Sequence, residues 1–192
     1  MNRGVSQKTK KMALGAILSA LGVVFLLLGS LIETLDLSMA ALASFFCIFA
    51  VIELGGKYPW LIYAVTSLLS LLLVPYSMGG WFYLLFFGYY PILKEKLEKL
   101  KRPISWIIKV AVFNLALLIG ILIAFFLFFG QTEEKGIIDA FTYVFGGEGA
   151  GVWMAVGIYL LANVVFIVYD VALTRLITFY FIKLRHRFKL FK

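Results

Sequence analysis

Six long runs of apolar side chains with almost no charge succeed one another along this chain, and few folds can hold them. Crossing about 30 Å of hydrocarbon takes roughly 20 helical residues, and the runs fall at approximately Met12–Leu31, Leu37–Leu54, Trp60–Val74, Trp81–Leu93, Ile104–Phe129 and Val152–Ile182. Apolar residues make up 63% of the chain, against about 45–50% in soluble domains. A chain of this size has too little interior to hide them all. Backbone inside hydrocarbon must satisfy its own hydrogen bonds, which segments of this length do as helices. The expected fold is therefore all-α: an integral membrane bundle of six transmembrane helices. It forms a single transmembrane domain over residues 1–192, with a basic N-terminus at 1–11 and a basic tail at 183–192.

The basic residues before the first run raise the question of a signal peptide. The run exceeds the roughly 7–15 residues of a signal core, and SLIETLDLSM leads straight into another apolar segment. It reads as a retained span, with a cleaved signal as the alternative. The fourth run is short and meets Pro91, then continues as LKEKLEKLKR, where Leu93, Leu97 and Leu100 share one helical face and charges cover the rest. Two readings stand: a kinked span whose end lies amphipathically at the interface, or a re-entrant segment.

Charge gives the orientation. Arg3, Lys8, Lys10 and Lys11 flank the first span; Lys57 lies in the second connection; Lys94, Lys96, Lys99, Lys101 and Arg102 fill the fourth; and Lys183, Arg185, Arg187, Lys189 and Lys192 end the chain. Glu33, Asp36, Glu133, Glu134, Asp139 and Glu148 occupy the other side, with Lys135. Basic connections stay in the cytoplasm, so both termini are expected there, in a multi-pass protein of the cell membrane, most simply a bacterial cytoplasmic membrane. The net charge of +8 marks topology and attraction to anionic lipid head groups. Divided among separate membrane-flanking clusters, it is no nucleic-acid footprint. Trp60, Trp81, Trp106 and Trp153 lie near span ends, as interfacial aromatics do. Tyr76, Trp81 and Tyr83, near the outer acidic loops, also offer faces for a ligand to stack on.

Catalytic motifs are missing. ELGGKYPW lacks the first glycine of a phosphate-binding loop and follows its lysine with tyrosine. The single histidine, His186, rules out a two-histidine zinc motif around Glu133–Glu134. SMGG at Ser77–Gly80 reads as a turn with no base to activate the serine. Cys47 is alone and permits no intramolecular disulfide or thiolate cluster. No metal, cofactor or enzymatic activity is expected.

Buried polar residues are costly in hydrocarbon and face the bundle interior. Asn114 lies in the fifth span, and Asn163, Asp170 and Thr174 fall on nearly one line down the sixth at about 100° per residue. Arg175 points elsewhere. Asp170 and Arg175 either lock the sixth span near the interface, or Asn163 and Asp170 line a path for a ligand or proton. In the fifth connection, Ile137, Ile138, Phe141, Val144 and Phe145 follow helical spacing between glycines. This predicts a short amphipathic helix at the outer mouth, either floating on the head groups or closing a pocket.

The first span carries two stripes of small residues. Ala13, Ala16 and Ala20 form one; Gly15, Ser19 and Gly22 form its neighbour. Small residues let helices approach closely, a main source of association in lipid. Either both stripes pack internally, or one faces a separate protein. A basic cluster followed by TKKMALGAILSALGVVFLLLG resembles the first helix of the substrate-binding (S) components of energy-coupling factor transporters. In that family an Ala-x-x-x-Ala face on helix 1 docks on a shared coupling subunit; Ala16 and Ala20 match the spacing, with Ala13 one turn earlier. Chain length, six spans and cytoplasmic termini are also similar.

The resemblance implies capture of a vitamin or other small solute outside, then docking on a coupling membrane subunit with a pair of ATPases and release inward. It further implies Glu33 and Asp36 as attractors of a cationic solute, Tyr76 or Trp81 stacking on its ring, and Ala13, Ala16 and Ala20 as the docking face. Tyr83 and Asn163 complete the candidate solute contacts. The rival class is a small non-catalytic membrane subunit that binds and assembles or regulates a partner membrane protein. An intramembrane enzyme acting on lipid would have only Asn114, Asn163 and Asp170 to work with.

Overall fold

The computed structural model describes residues 3–124, 152–180 and 182. All regular structure among them is helical. Among the described residues, four helices are long and apolar enough to cross a membrane, Gln7–Leu31, Asp36–Glu53, Arg102–Ile123 and Val156–Phe179, and Tyr58–Leu73 is a shorter apolar helix. The chain is a helical, multi-pass membrane protein. The helix expected in the fifth connection and the tail 183–192 lie outside the described residues.

The described residues fall into two compact units. One holds those within Met1–Ser105 and Ile177–Lys192, the other those within Trp106–Leu176. In the first, α1 (Arg3–Leu31) packs on α2 (Asp36–Glu53) and α3 (Tyr58–Leu73). A single 3₁₀ turn, Glu33–Leu35, separates α1 from α2. Near this turn Gly29 meets α2 so closely that a Cβ would lie 2.8 Å from Met39 Cβ. At the other end of α2, Gly55 and Gly56 both take φ of +59°, a left-handed turn that only glycine adopts cheaply. Pro59 then sits in the first turn of α3, where its missing N–H leaves no hydrogen bond unmade. Leu18, Ala50, Leu54 and Ile62 form the core near this end; Leu26, Ala40, Ala43 and Tyr83 form it toward the other.

The fourth apolar run is broken into three pieces. α4 (Met78–Phe82) passes into a π-helical turn, Tyr83–Phe87, and α5 (Tyr90–Leu97) follows. The break falls ahead of Pro91, which occupies the first turn of α5. A proline cannot donate to the fourth carbonyl before it and crowds it as well, so the helix widens and ends upstream. Gly88 N donates to Tyr83 O at 2.8 Å, and Tyr63 Oη reaches Leu84 O at 2.8 Å. The sequence expectation for this run needs correction at its end. Lys94 is buried and paired with Glu98 at 3.2 Å, and Leu100 is exposed.

The second unit is built from the greater part of α6 (Arg102–Ala124) and of α7 (Val152–Phe179), whose outer ends belong to the first. Residues ascending α6 meet residues descending α7, so the two run antiparallel. Just past α7, Tyr180 belongs to the first unit, where its hydroxyl donates to Glu53 and its ring meets Phe49 edge-on at 5.6 Å.

Candidate functional site

The two small-residue stripes of α1 have different fates. Gly15, Ser19 and Gly22 are buried. A Cβ on Gly22 would lie 2.9 Å from Thr66 Cγ2, one on Gly15 would touch Ile62, and Ser19 O accepts a hydrogen bond from Thr66 at 3.4 Å. This stripe is the seam that lets α3 approach α1. Ala13, Ala16 and Ala20 are exposed. Among the described residues their stripe is flanked by exposed Met12, Ile17 and Leu21.

Asp36, expected to draw a solute, is buried at the start of α2. Both of its oxygens accept from Ser77 Oγ, at 2.9 and 3.0 Å, and Oδ2 also accepts from Gly79 N at 2.7 Å. Ser77 Oγ in turn accepts from Gly80 N at 3.1 Å, capping α4. The turn expected at SMGG needs correction: it falls just before, where Ser77 N donates to Val74 O, while Ser77 is the N-cap of α4 and Met78, Gly79 and Gly80 are its first residues. Serine caps the helix, and Gly79 leaves room for the carboxylate and backbone carbonyl of Asp36. The backbone of Glu33 lies in the 3₁₀ turn three residues earlier.

The aromatic candidates separate. Tyr76 is 73% exposed on the α3–α4 turn. Trp81 is half-buried, its indole N–H donating to Pro75 O at 2.9 Å. Tyr83 is fully buried beside Leu26, Ala40 and Ala43.

In the second unit the polar residues of the spans form a ladder. Lys109 Nζ lies 3.1 Å from Asp170 Oδ2, both side chains being almost wholly buried. The Lys109 ammonium is also 5.5 Å from the centroid of Trp106. One turn along, Phe113 and Phe166 stack at 4.6 Å. Asn114 Nδ2 then donates to Asn163 Oδ1 at 3.1 Å, with the reverse contact at 3.5 Å. Thr174 Oγ1 donates to Asp170 O, and Arg175 is exposed. Lys109 was missed in the sequence. The signal for it was positional: it lies about two turns inside one end of α6, and Asp170 lies about two turns inside the end of α7 that an antiparallel partner brings level.

Among the described residues, no three His, Cys, Asp or Glu side chains gather as metal ligands. The chain matches no protein-family model, no characterised protein and no solved structure.

Proposed function

We propose that this protein is a non-catalytic membrane subunit that docks on a partner membrane protein through the Ala13–Ala16–Ala20 face of α1. We further propose that it serves as the substrate-binding component of a vitamin or small-solute uptake transporter. In this reading six spans cross the membrane with both termini in the cytoplasm, and a coupling subunit with an ATPase pair supplies the energy. The observation that carries it is the division of labour on α1. The glycine-serine stripe is consumed by α3, while the alanine stripe remains exposed at the spacing the resemblance requires. Tyr76, on the α3–α4 turn, and Trp81, on α4, are the accessible candidates for solute contact.

A second reading, an assembly or regulatory subunit with no solute, is favoured by a separate observation. Asp36 and Tyr83 are engaged inside the protein, and Asn163 is paired with Asn114.

Affinity purification from gently solubilised membranes of the native host tests both. Recovery of a coupling subunit with paired ATPases, lost in Ala16→Leu/Ala20→Leu, supports the transporter reading. Recovery of an unrelated membrane partner that is lost in the same variant supports the second. Identical recovery from both proteins removes the docking face from either.

A further inference from the structure

At one end of the first unit, cations from three separate chain segments converge. Lys11, near the start of α1, reaches Leu54 O at 3.5 Å and stands 5.9 Å over the ring of Tyr58. Lys96, on α5, stands 5.9 Å over the ring of Trp60. Tyr58 and Trp60 flank Pro59 at the start of α3, so these two contacts bring α1 and α5 to the same α2–α3 turn. In these same segments and the residues that follow α5, Lys8, Lys10, Lys57, Lys96, Lys101 and Arg102 are all exposed. The carboxylates here have partners: Glu53 accepts from Tyr180, Glu95 faces Lys99 at 3.4 Å and Glu98 faces Lys94. Between Lys11 and Lys94 the chain has no cation except Lys57, so from α1 to α5 the described positive charge gathers at this end.

We infer that this rim is a binding surface for anionic phospholipid head groups, the lysines holding phosphate while Tyr58 and Trp60 sit at the head-group level. The neighbouring surface separates a lipid from an acidic soluble protein. Met12, Leu61, Leu100 and Ile104 are exposed apolar side chains close in sequence to these cations. That mixture suits the boundary between head groups and acyl chains, where Lys and Arg extend their ammonium or guanidinium groups outward over buried stems. Water on both sides would leave the apolar members exposed at a cost. Anionic lipid adds an attraction that zwitterionic lipid lacks, and gathering these cations at one rim concentrates it there.

The test uses the full chain, purified in neutral detergent and titrated with phosphatidylglycerol or phosphatidylcholine, with retained lipid counted by native mass spectrometry. The expected result is that phosphatidylglycerol is retained at roughly fivefold or higher excess over phosphatidylcholine, the size of one well-placed lysine's contribution. The excess disappears in Lys8→Gln/Lys10→Gln/Lys57→Gln/Lys101→Gln. These side chains are exposed, so the variant's melting temperature in phosphatidylcholine should match that of the unchanged protein. That equality shows that the loss is one of binding rather than folding. Equal retention of both lipids, or an excess that survives the four substitutions, overturns the inference. Displacement of phosphatidylglycerol by equimolar glycerol phosphate also overturns it, by making the rim a site for free phosphate.

Discussion

Asp36 tests what a buried carboxylate does in this protein. Ser77 and Gly79 donate to it, and a hydrogen bond to a charged acceptor contributes about 1.5–3 kcal/mol, while stranding its buried donors costs more. Asp36→Ala is therefore expected to lower unfolding stability by about 3 kcal/mol. Gly79→Ala should fall in the same range, because its Cβ would collide with the carboxylate and carbonyl of Asp36. Gly55→Ala serves as the comparison: its φ is positive but nothing lies near its Cβ, so only the backbone penalty of about 1–2 kcal/mol applies. Unfolding in graded denaturing detergent measures all three. If Asp36→Ala were as stable as the unchanged protein, its hydrogen bonds would be incidental and the solute-attracting reading would regain its acid. Sequence pattern alone showed an acid near an outer turn and a serine-glycine stretch some forty residues later. It could not show that the two meet, because that contact depends on how the start of α2 packs against the start of α4.

At the scale of elements, α6 and α7 are joined by polar groups inside an otherwise apolar pair. Removing one member of a buried ion pair leaves an unpaired charge and costs about 3–5 kcal/mol, whereas replacing both with apolar groups of similar size is often neutral. Lys109→Met and Asp170→Leu are each expected to destabilise by about 3 kcal/mol, and the double variant by much less. The same unfolding assay, read as a double-mutant cycle, measures the coupling. Additive losses would mean that the two side chains do not interact. Asn114, Asn163 and Asp170 were legible because each interrupts an apolar run, and polar residues there must face inward. Their partners were not legible, since matching them requires the register between two helices, and helical periodicity describes each helix separately. The break in the fourth run was readable from Pro91. Its position was not: Gly88 lets Tyr63 and Tyr83 crowd the π-turn, where a Cβ would meet their rings at 2.5–2.9 Å.

At the scale of the whole molecule, helical class and membrane residence followed from composition and run length alone, because hydrocarbon leaves the backbone so few choices. Orientation rests on the distribution of charge, and the described structure sharpens how it can be tested. Lys57 lies on the α2–α3 turn among the cations, and Tyr76 lies on the α3–α4 turn at the other end of α3. Both are exposed, and Cys47 is buried. In a Cys47→Ala background, Tyr76→Cys should therefore react with a membrane-impermeant maleimide added to intact cells. Lys57→Cys should react only after the membrane is opened. The positive-inside rule requires this pattern, since Lys57 belongs to the side that also holds Lys94–Arg102. The reverse pattern would place the basic rim outside and remove the cytoplasmic termini from the proposed topology. Labelling of both from outside would mean that α3, only 16 residues long, does not separate the two faces. The first unit would then be inserted from one side without crossing at α3, and the docking face on α1 would have to be sought at a different depth.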